Sequence, residues 1–173
     1  ESPTWSVAEQ ALWFVDINAP AVHRFDPATG AHAVMPMPSS IGCMGLRERG
    51  GLVLALRDGL WLADAHGRLE RKVAQAPYDP GHHRFNDGRV DPQGRFWIGT
   101  MNERRDAASA ALYRLDADHA FHRVIDGITV SNGGGVAGNP TLALADDLAA
   151  LEALTGTDTI YYRSAASTWT AVA

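Results

Sequence analysis

The chemistry that could bind or transform a ligand is concentrated in residues 84–91, whose sequence is RFNDGRVD. This octet combines a guanidinium group on Arg84, an amide on Asn86 and carboxylates on Asp87 and Asp91. Because an apolar run follows, the octet is a candidate ligand site on a loop held by a rigid scaffold. The alternative is an Asx-type turn, in which Asn86 and Asp87 satisfy nearby backbone groups. On spacing alone the turn is the commoner use of Asn-Asp-Gly.

The elements that position the octet can be predicted from its neighbours. The sequence DPQG at residues 91–94 is typical of a tight turn, in which Asp-Pro begins the turn and Gly94 adopts a positive φ. The apolar run FWIGT at residues 96–100 comes directly afterwards. The segment therefore predicts a strand, a turn and a second strand.

The same order of elements recurs three times along the chain. Apolar runs begin at residues 12, 52 and 96, and each is followed by a strand closing on Asp, a turn and an amphipathic strand. The spacing of about 40 residues is that of a four-stranded propeller blade. Residues 41–46, 84–90 and 128–133 fit the strand that precedes each apolar run or begins the next unit. The repeated order favours an all-β propeller over a sandwich, with about three four-stranded blades.

Composition and charge limit the function classes. The chain has 173 residues and a net charge of −5, and its basic residues are scattered, which argues against nucleic acid as a partner. No apolar run has the length of a membrane span, and no signal peptide is recognisable, so we expect no membrane partner and a cytoplasmic location. Cys43 lies in an apolar stretch and is expected to be a buried structural thiol.

The repeat ends after Gly133, and the C-terminal part has a different pattern. Residues 134–140 form a Gly-rich joint, and a helix is predicted over 141–154 with Leu144, Leu148 and Leu151 on one face. Residues 160–163 and 167–172 then predict a small hairpin. The leucine stripe must pack on the first part of the chain or on another copy, and both alternatives stay open. The predicted organisation is 1–133, 134–140 and 141–173, the last segment being a possible oligomerisation module.

A family resemblance emerges when these motifs are taken in order. They include ESPTW at residues 1–5, LWFVDI at 12–17, the octet, GRFWIGTM at 94–101 and ITVSNG at 128–133. In order and spacing, residues 1–133 resemble the senescence marker protein/gluconolactonase/regucalcin family. The resemblance covers most of this chain but only about the first half of a family member.

The resemblance implies a partial six-bladed β-propeller with one divalent metal in its central tunnel. It also implies hydrolysis of sugar lactones, in which the metal polarises the carbonyl and activates water. The family's first two metal ligands correspond to Glu1 and Asn132, and oxygen ligands suit Ca²⁺, Mg²⁺ or Mn²⁺, with Zn²⁺ a further candidate. The family's downstream Asp ligand, which is also its favoured catalytic base, has no matching motif here, so no catalytic residue is assigned.

The resemblance also implies substrate contacts. The family's Arg and Asn correspond to Arg84 and Asn86, which would hold a sugar acid or its oxyanion and orient hydroxyl groups. An acidic substrate contact found in some members falls on Arg104 rather than on its neighbour Glu103, so Glu103 is given no role.

Two further expectations concern assembly and the class of function. Three blades alone would leave sheet edges open, so we expect a homo-oligomer that covers them. The tail resembles a short module of bacteriophage tail proteins, although residues 159–162 could instead be the family's next inner strand.

The leading hypothesis is a metal-dependent lactonase, impaired if its missing ligand is not replaced. The rival is a non-catalytic binding or assembly module that uses the propeller fragment as a scaffold.

Overall fold

The structure is a computed structural model that describes residues 1–131, 160–165 and 168–172. Within these residues the regular secondary structure is entirely β. The described part of the chain contains no helix with the length and apolarity needed to cross a bilayer. By their contacts the residues divide into two compact units, Glu1–Gly134 and Gly135–Ala173.

The first unit contains three sheets, each made of four antiparallel strands that follow one another along the chain. Blade 1 consists of β1 (Thr4–Ser6), β2 (Ala11–Asp16), β3 (Ala21–Phe25) and β4 (His32–Pro36). Blade 2 consists of β5 (Ile41–Leu46), β6 (Leu52–Leu56), β7 (Gly59–Ala63) and β8 (Leu69–Gln75). Blade 3 consists of β9 (His83–Val90), β10 (Phe96–Asn102), β11 (Ala110–Leu115) and β12 (Phe121–Ile128). The prediction of three four-stranded blades is confirmed.

The blades pack face to face through two apolar clusters. One cluster joins blades 1 and 2 and includes Trp13 and Leu54. The other joins blades 2 and 3 and includes Cys43, Phe85 and Ile98. Cys43 is fully buried, and burial raises the pKa of its thiol well above the ordinary value. This placement confirms the expectation of a buried structural thiol.

Aspartates at the ends of strands shape the turns. The Asp26 and Asp64 side chains each accept hydrogen bonds from backbone N–H groups two residues further on, at 2.9 Å. Asp91 does the same for the N–H groups of Gln93 and Arg95, and Gly94 adopts a φ of 77°. The predicted strand, turn and strand around residues 91–95 is therefore confirmed.

The second unit contains the predicted hairpin, formed by β13 (Ile160–Ala165) and β14 (Thr168–Val172). The predicted joint at 134–140 and the predicted helix over 141–154 lie outside the described residues. The functional division of the chain at residue 133 and the phage-type role of the tail stay predictions.

Candidate functional site

Strand β9 carries the octet, and its neighbours fix its position. It pairs with β10, so that Arg84 lies opposite Met101, and on its other side it packs against β5. A Cβ atom at Gly42 of β5 would lie 2.3 Å from the Phe85 carbonyl oxygen and 2.6 Å from that of Asn86. Only glycine permits this approach of the two strands. The blade 2–blade 3 contact therefore fixes the backbone of the candidate site.

Arg84 is held by its own strand. Its side chain is only 16% exposed, and its Nη1 donates to the Phe85 carbonyl at 2.9 Å and to Asn86 Oδ1 at 2.8 Å. Burial lowers the pKa of the Arg84 guanidinium, while the nearby Glu103 carboxylate opposes that shift. An arginine remains charged under these conditions. The site therefore contains a positively charged fork whose orientation is fixed by hydrogen bonds.

Asn86 connects Arg84 to the chain beyond blade 3. Its Oδ1 accepts from Arg84, and its Nδ2 donates to the Ser131 carbonyl at 2.7 Å. The Asx-turn alternative is wrong for Asn86, because its amide bonds a side chain and a distant carbonyl. It holds in part for Asp87, whose Oδ1 accepts from the N–H of Gly88 at 2.9 Å.

The Ser131 segment is fixed in turn by β10. The Ser131 N–H donates to the Thr100 carbonyl at 3.1 Å, and Ser131 lies directly over Gly99. A Cβ atom at Gly99 would be 2.2 Å from Ser131 Oγ, so glycine is required there as well. Asn132, one of the two metal ligands implied by the family resemblance, is the next residue and lies outside the described residues.

Glu1 lies on the cavity that Arg84 also lines. Its backbone pairs with Val15 in both directions: the Glu1 nitrogen donates at 2.9 Å, and the Glu1 carbonyl accepts at 3.0 Å. Within residues 1–131 its carboxylate makes no hydrogen bond or ion pair. The cavity has a volume of about 500 Å³ and is also lined by Asp16, His23 and His32. The structure thus brings together Glu1 and Arg84, which are far apart in sequence.

The fit to a divalent metal rests on the available oxygen donors. The Glu1 carboxylate suits a hard cation, and an amide oxygen from Asn132 would suit the same ion. Within the described ranges no three His, Cys, Asp or Glu side chains gather in a metal-binding arrangement. Glu1 therefore fits as one ligand, and Asn132, the second implied ligand, lies outside the described residues.

Two residues near Arg84 were given no role in the sequence analysis. Arg57, in the turn between β6 and β7, donates from Nη2 to Glu103 Oε1 at 2.7 Å. The same Glu103 oxygen lies 3.8 Å from Arg84 Nε. Arg57 and Glu103 are 46 positions apart and come from different blades, so no local motif signals the pair.

Tyr78 links the turn that contains Arg57 to strand β9. Its hydroxyl donates to the Arg57 carbonyl at 3.3 Å and accepts from the N–H of Phe85 at 2.9 Å. Burial raises the pKa of this phenol above its ordinary value, so it stays protonated as a donor. The site arginine is thus supported by side chains from blade 2 and from the loop before β9.

Comparison with known proteins agrees with this architecture. The sequence profile of the SMP-30/Gluconolactonase/LRE-like region matches residues 1–148. A 6-deoxy-6-sulfogluconolactonase of Pseudomonas putida is 48% identical over 133 residues, which are 77% of this chain and 46% of that protein. Regucalcin of Xenopus laevis is 36% identical over 138 residues, with the same coverage of 77% and 46%.

A solved structure shows the same fold. The calcium-binding protein regucalcin from Agrobacterium tumefaciens superposes with a TM-score of 0.68 at 29% identity, covering 74% of this chain and 43% of that one. This chain spans about half the length of the curated relatives it matches. The similarity therefore covers the three blades described above and not a complete relative.

Proposed function

Because the chain belongs to the SMP-30/gluconolactonase/LRE-like family, we propose that it is a metal-dependent hydrolase of sugar lactones. The observation that carries this proposal is the cavity lined by both Glu1 and Arg84. A carboxylate and a guanidinium on one cavity combine a cation ligand with a binder of oxyanions. The name of the P. putida relative makes 6-deoxy-6-sulfogluconolactone the first substrate to test.

The metal would be held by Glu1 and Asn132, with Ca²⁺, Mn²⁺, Mg²⁺ or Zn²⁺ as the candidate ion. When bound, a divalent cation polarises an ester carbonyl and lowers the pKa of coordinated water. The Glu1 backbone is fixed by its pairing with Val15, so binding an ion would have to order only the side chain of Glu1.

Arg84 would bind the carboxylate that forms when the lactone opens. Its Nη1 is occupied by Phe85 and Asn86, which fixes the plane of the guanidinium group. Asn86 then has two roles in the proposal: it orients Arg84, and it supplies the amide that contacts substrate hydroxyls if its bond to Ser131 opens. We assign no residue as catalytic base, and the turnover of this chain would be impaired if no carboxylate replaces the family's downstream ligand.

Assembly is a separate part of the proposal. Val34 on β4 and Val124 on β12 are exposed, on the outer strands of blades 1 and 3. Pairing of two or more copies would cover such apolar side chains and the open sheet edges. The mass in solution, measured by light scattering, is expected to be a multiple of the chain mass, and a strict monomer would contradict the oligomer.

We further propose a cytoplasmic location.

The catalytic proposal is tested by following acid release from sugar lactones after treatment with a chelator and after adding back Mn²⁺ or Ca²⁺. Metal-dependent hydrolysis above the spontaneous rate is expected. A rate equal to background, together with no metal binding by calorimetry, would leave the non-catalytic scaffold as the better account. That rival is favoured by one feature of the sequence, in which the family's downstream Asp ligand has no matching motif.

A further inference from the structure

Two arginines converge on one carboxylate at the edge of the candidate site. Glu103 Oε1 lies 2.7 Å from Arg57 Nη2 and 3.8 Å from Arg84 Nε. The first distance is that of a charge-assisted hydrogen bond, whereas the second is only an ion pair. Glu103 therefore binds Arg57 more closely than Arg84, and it neutralises the charge of Arg84 only in part.

Arg57 is well placed to hold Glu103 in this way. Its Nε donates to Ser40 Oγ at 3.2 Å, and its Nη1 donates to the Pro80 carbonyl. With Nη2 on Glu103, each of its three nitrogens has a partner. The Glu103 N–H also donates to the His82 carbonyl, at 3.0 Å. Glu103 is thus fixed through both its backbone N–H and its carboxylate.

Arg84, by contrast, keeps part of its donor capacity. Its Nη1 is occupied by Phe85 and Asn86, but within residues 1–131 no hydrogen bond engages Nη2. The side chain borders the cavity that Glu1 also lines. The Glu1 carboxylate on the same cavity also acts electrostatically on Arg84, but within residues 1–131 it makes no hydrogen bond to the guanidinium. A mostly buried guanidinium whose Nη2 has no partner within those residues can therefore still bind an anion in the adjacent space.

We propose that Arg57 sets the anion affinity of this cavity by holding Glu103 away from Arg84. Without Arg57, the Glu103 carboxylate would turn to Arg84 and compete with an anionic ligand. The ligand class is a sugar acid or a lactone bearing an acidic group. This choice of ligand rests on the proposed function, whereas the competition between the two arginines does not. Arg57 and Glu103 are positioning residues here, since neither needs to touch the ligand.

The proposal predicts effects of opposite sign, measured as gluconate affinity by isothermal titration calorimetry. Arg57→Gln should weaken binding about two- to fivefold, the size expected for a partly exposed charge pair. Glu103→Gln should tighten binding by a similar factor, because the competing carboxylate is gone. In the double variant, loss of Arg57 should no longer weaken binding.

A matched control is available on blade 1. Arg24 Nε lies 2.8 Å from Glu9 Oε2, with side-chain exposures of 31% and 42%. The corresponding exposures for Arg57 and Glu103 are 31% and 35%, so the two pairs are comparable. Arg24→Gln should leave gluconate affinity unchanged. Thermal unfolding of every variant separates changes in affinity from loss of the fold.

Several outcomes would overturn the inference. Weaker or unchanged binding in Glu103→Gln would show that the carboxylate does not compete for Arg84. Failure of the double variant to rescue Arg57→Gln would make Arg57 a purely structural residue. Absence of gluconate binding in the unmodified chain would remove the anion site altogether. If the opposite-sign pattern appears but no lactone is hydrolysed, the proposed enzyme fails while the role of Arg57 stands.

Discussion

Asp91 offers the sharpest test of how the octet and its turn are stabilised. Its side chain is only 1% exposed, and its Oδ1 accepts from the backbone N–H groups of Gln93 and Arg95. Its Oδ2 accepts from Arg95 Nε at 2.6 Å and from Trp97 Nε1 at 2.9 Å. Asp91→Asn would keep the shape but place an amide donor against those last two donors.

The expected loss follows from those two contacts. One ion-paired hydrogen bond disappears, and the buried indole N–H loses its acceptor, which together cost about 2–4 kcal/mol of unfolding free energy. For a chain of this length the midpoint of thermal unfolding should fall by roughly 5–12 °C. Circular dichroism and tryptophan fluorescence follow both the unfolding free energy and the midpoint of thermal unfolding. Asp118→Asn is the control, because Asp118 is exposed and its Oδ1 makes one local bond, to the N–H of Ala120.

The pH dependence of the same variant gives a second result. Burial alone would raise the Asp91 pKa, but hydrogen bonds from Trp97 and Arg95 outweigh it and lower the pKa below its ordinary value. The stabilisation is therefore present above the unfolded-state pKa of about 3.9 and is lost as pH falls through the folded-state value. Asp91→Asn should flatten this acid decline. If Asp91→Asn lowers the unfolding free energy by less than about 0.5 kcal/mol, or by no more than Asp118→Asn does, the buried Asp91 contacts do not stabilise the fold as expected.

Three other outcomes are expected. Gly42→Ala should destabilise the fold by about 2–3 kcal/mol, because the new methyl group meets the Phe85 and Asn86 carbonyls, and urea unfolding measures the loss. Asn86→Ala should lower lactone turnover by more than its loss of about 1–2 kcal/mol in folding stability can explain. If the loss of turnover is no larger than the loss of stability accounts for, Asn86 has only a structural role. Cys43 should resist thiol reagents in the folded protein and react in urea, and fast labelling of the native chain would contradict its burial.

The blades could be predicted because their pattern is local and repeated. Apolar runs beginning at residues 12, 52 and 96 became β2, β6 and β10. Strands β6 and β10 are buried along their whole length, and β2 is buried at alternate residues. The turn after β9 was also predictable, because Asp91 and Gly94 make it with their own side chain and backbone. Such features depend on a few neighbouring residues.

The site was less predictable because its contacts join distant parts of the chain. Asn86 reaches Ser131 across 45 positions, and this tertiary bond replaces the local turn that Asn-Asp-Gly usually forms. Glu103 was given no role because its partner, Arg57, belongs to another blade. In both cases the packing of one blade on the next decides which polar group finds which partner.

Metal-dependent lactone opening at the cavity of Glu1 and Arg84 can be tested with one variant, Glu1→Gln. Calorimetric titration with Mn²⁺ or Ca²⁺ and the rate of acid release would be measured on the variant and the unmodified chain. Glu9→Gln, on the same blade but paired with Arg24, is the control. We expect weaker metal binding and a rate of acid release near background for Glu1→Gln alone. Unchanged metal affinity and an unchanged metal-dependent rate in Glu1→Gln would show that Glu1 does not hold the metal.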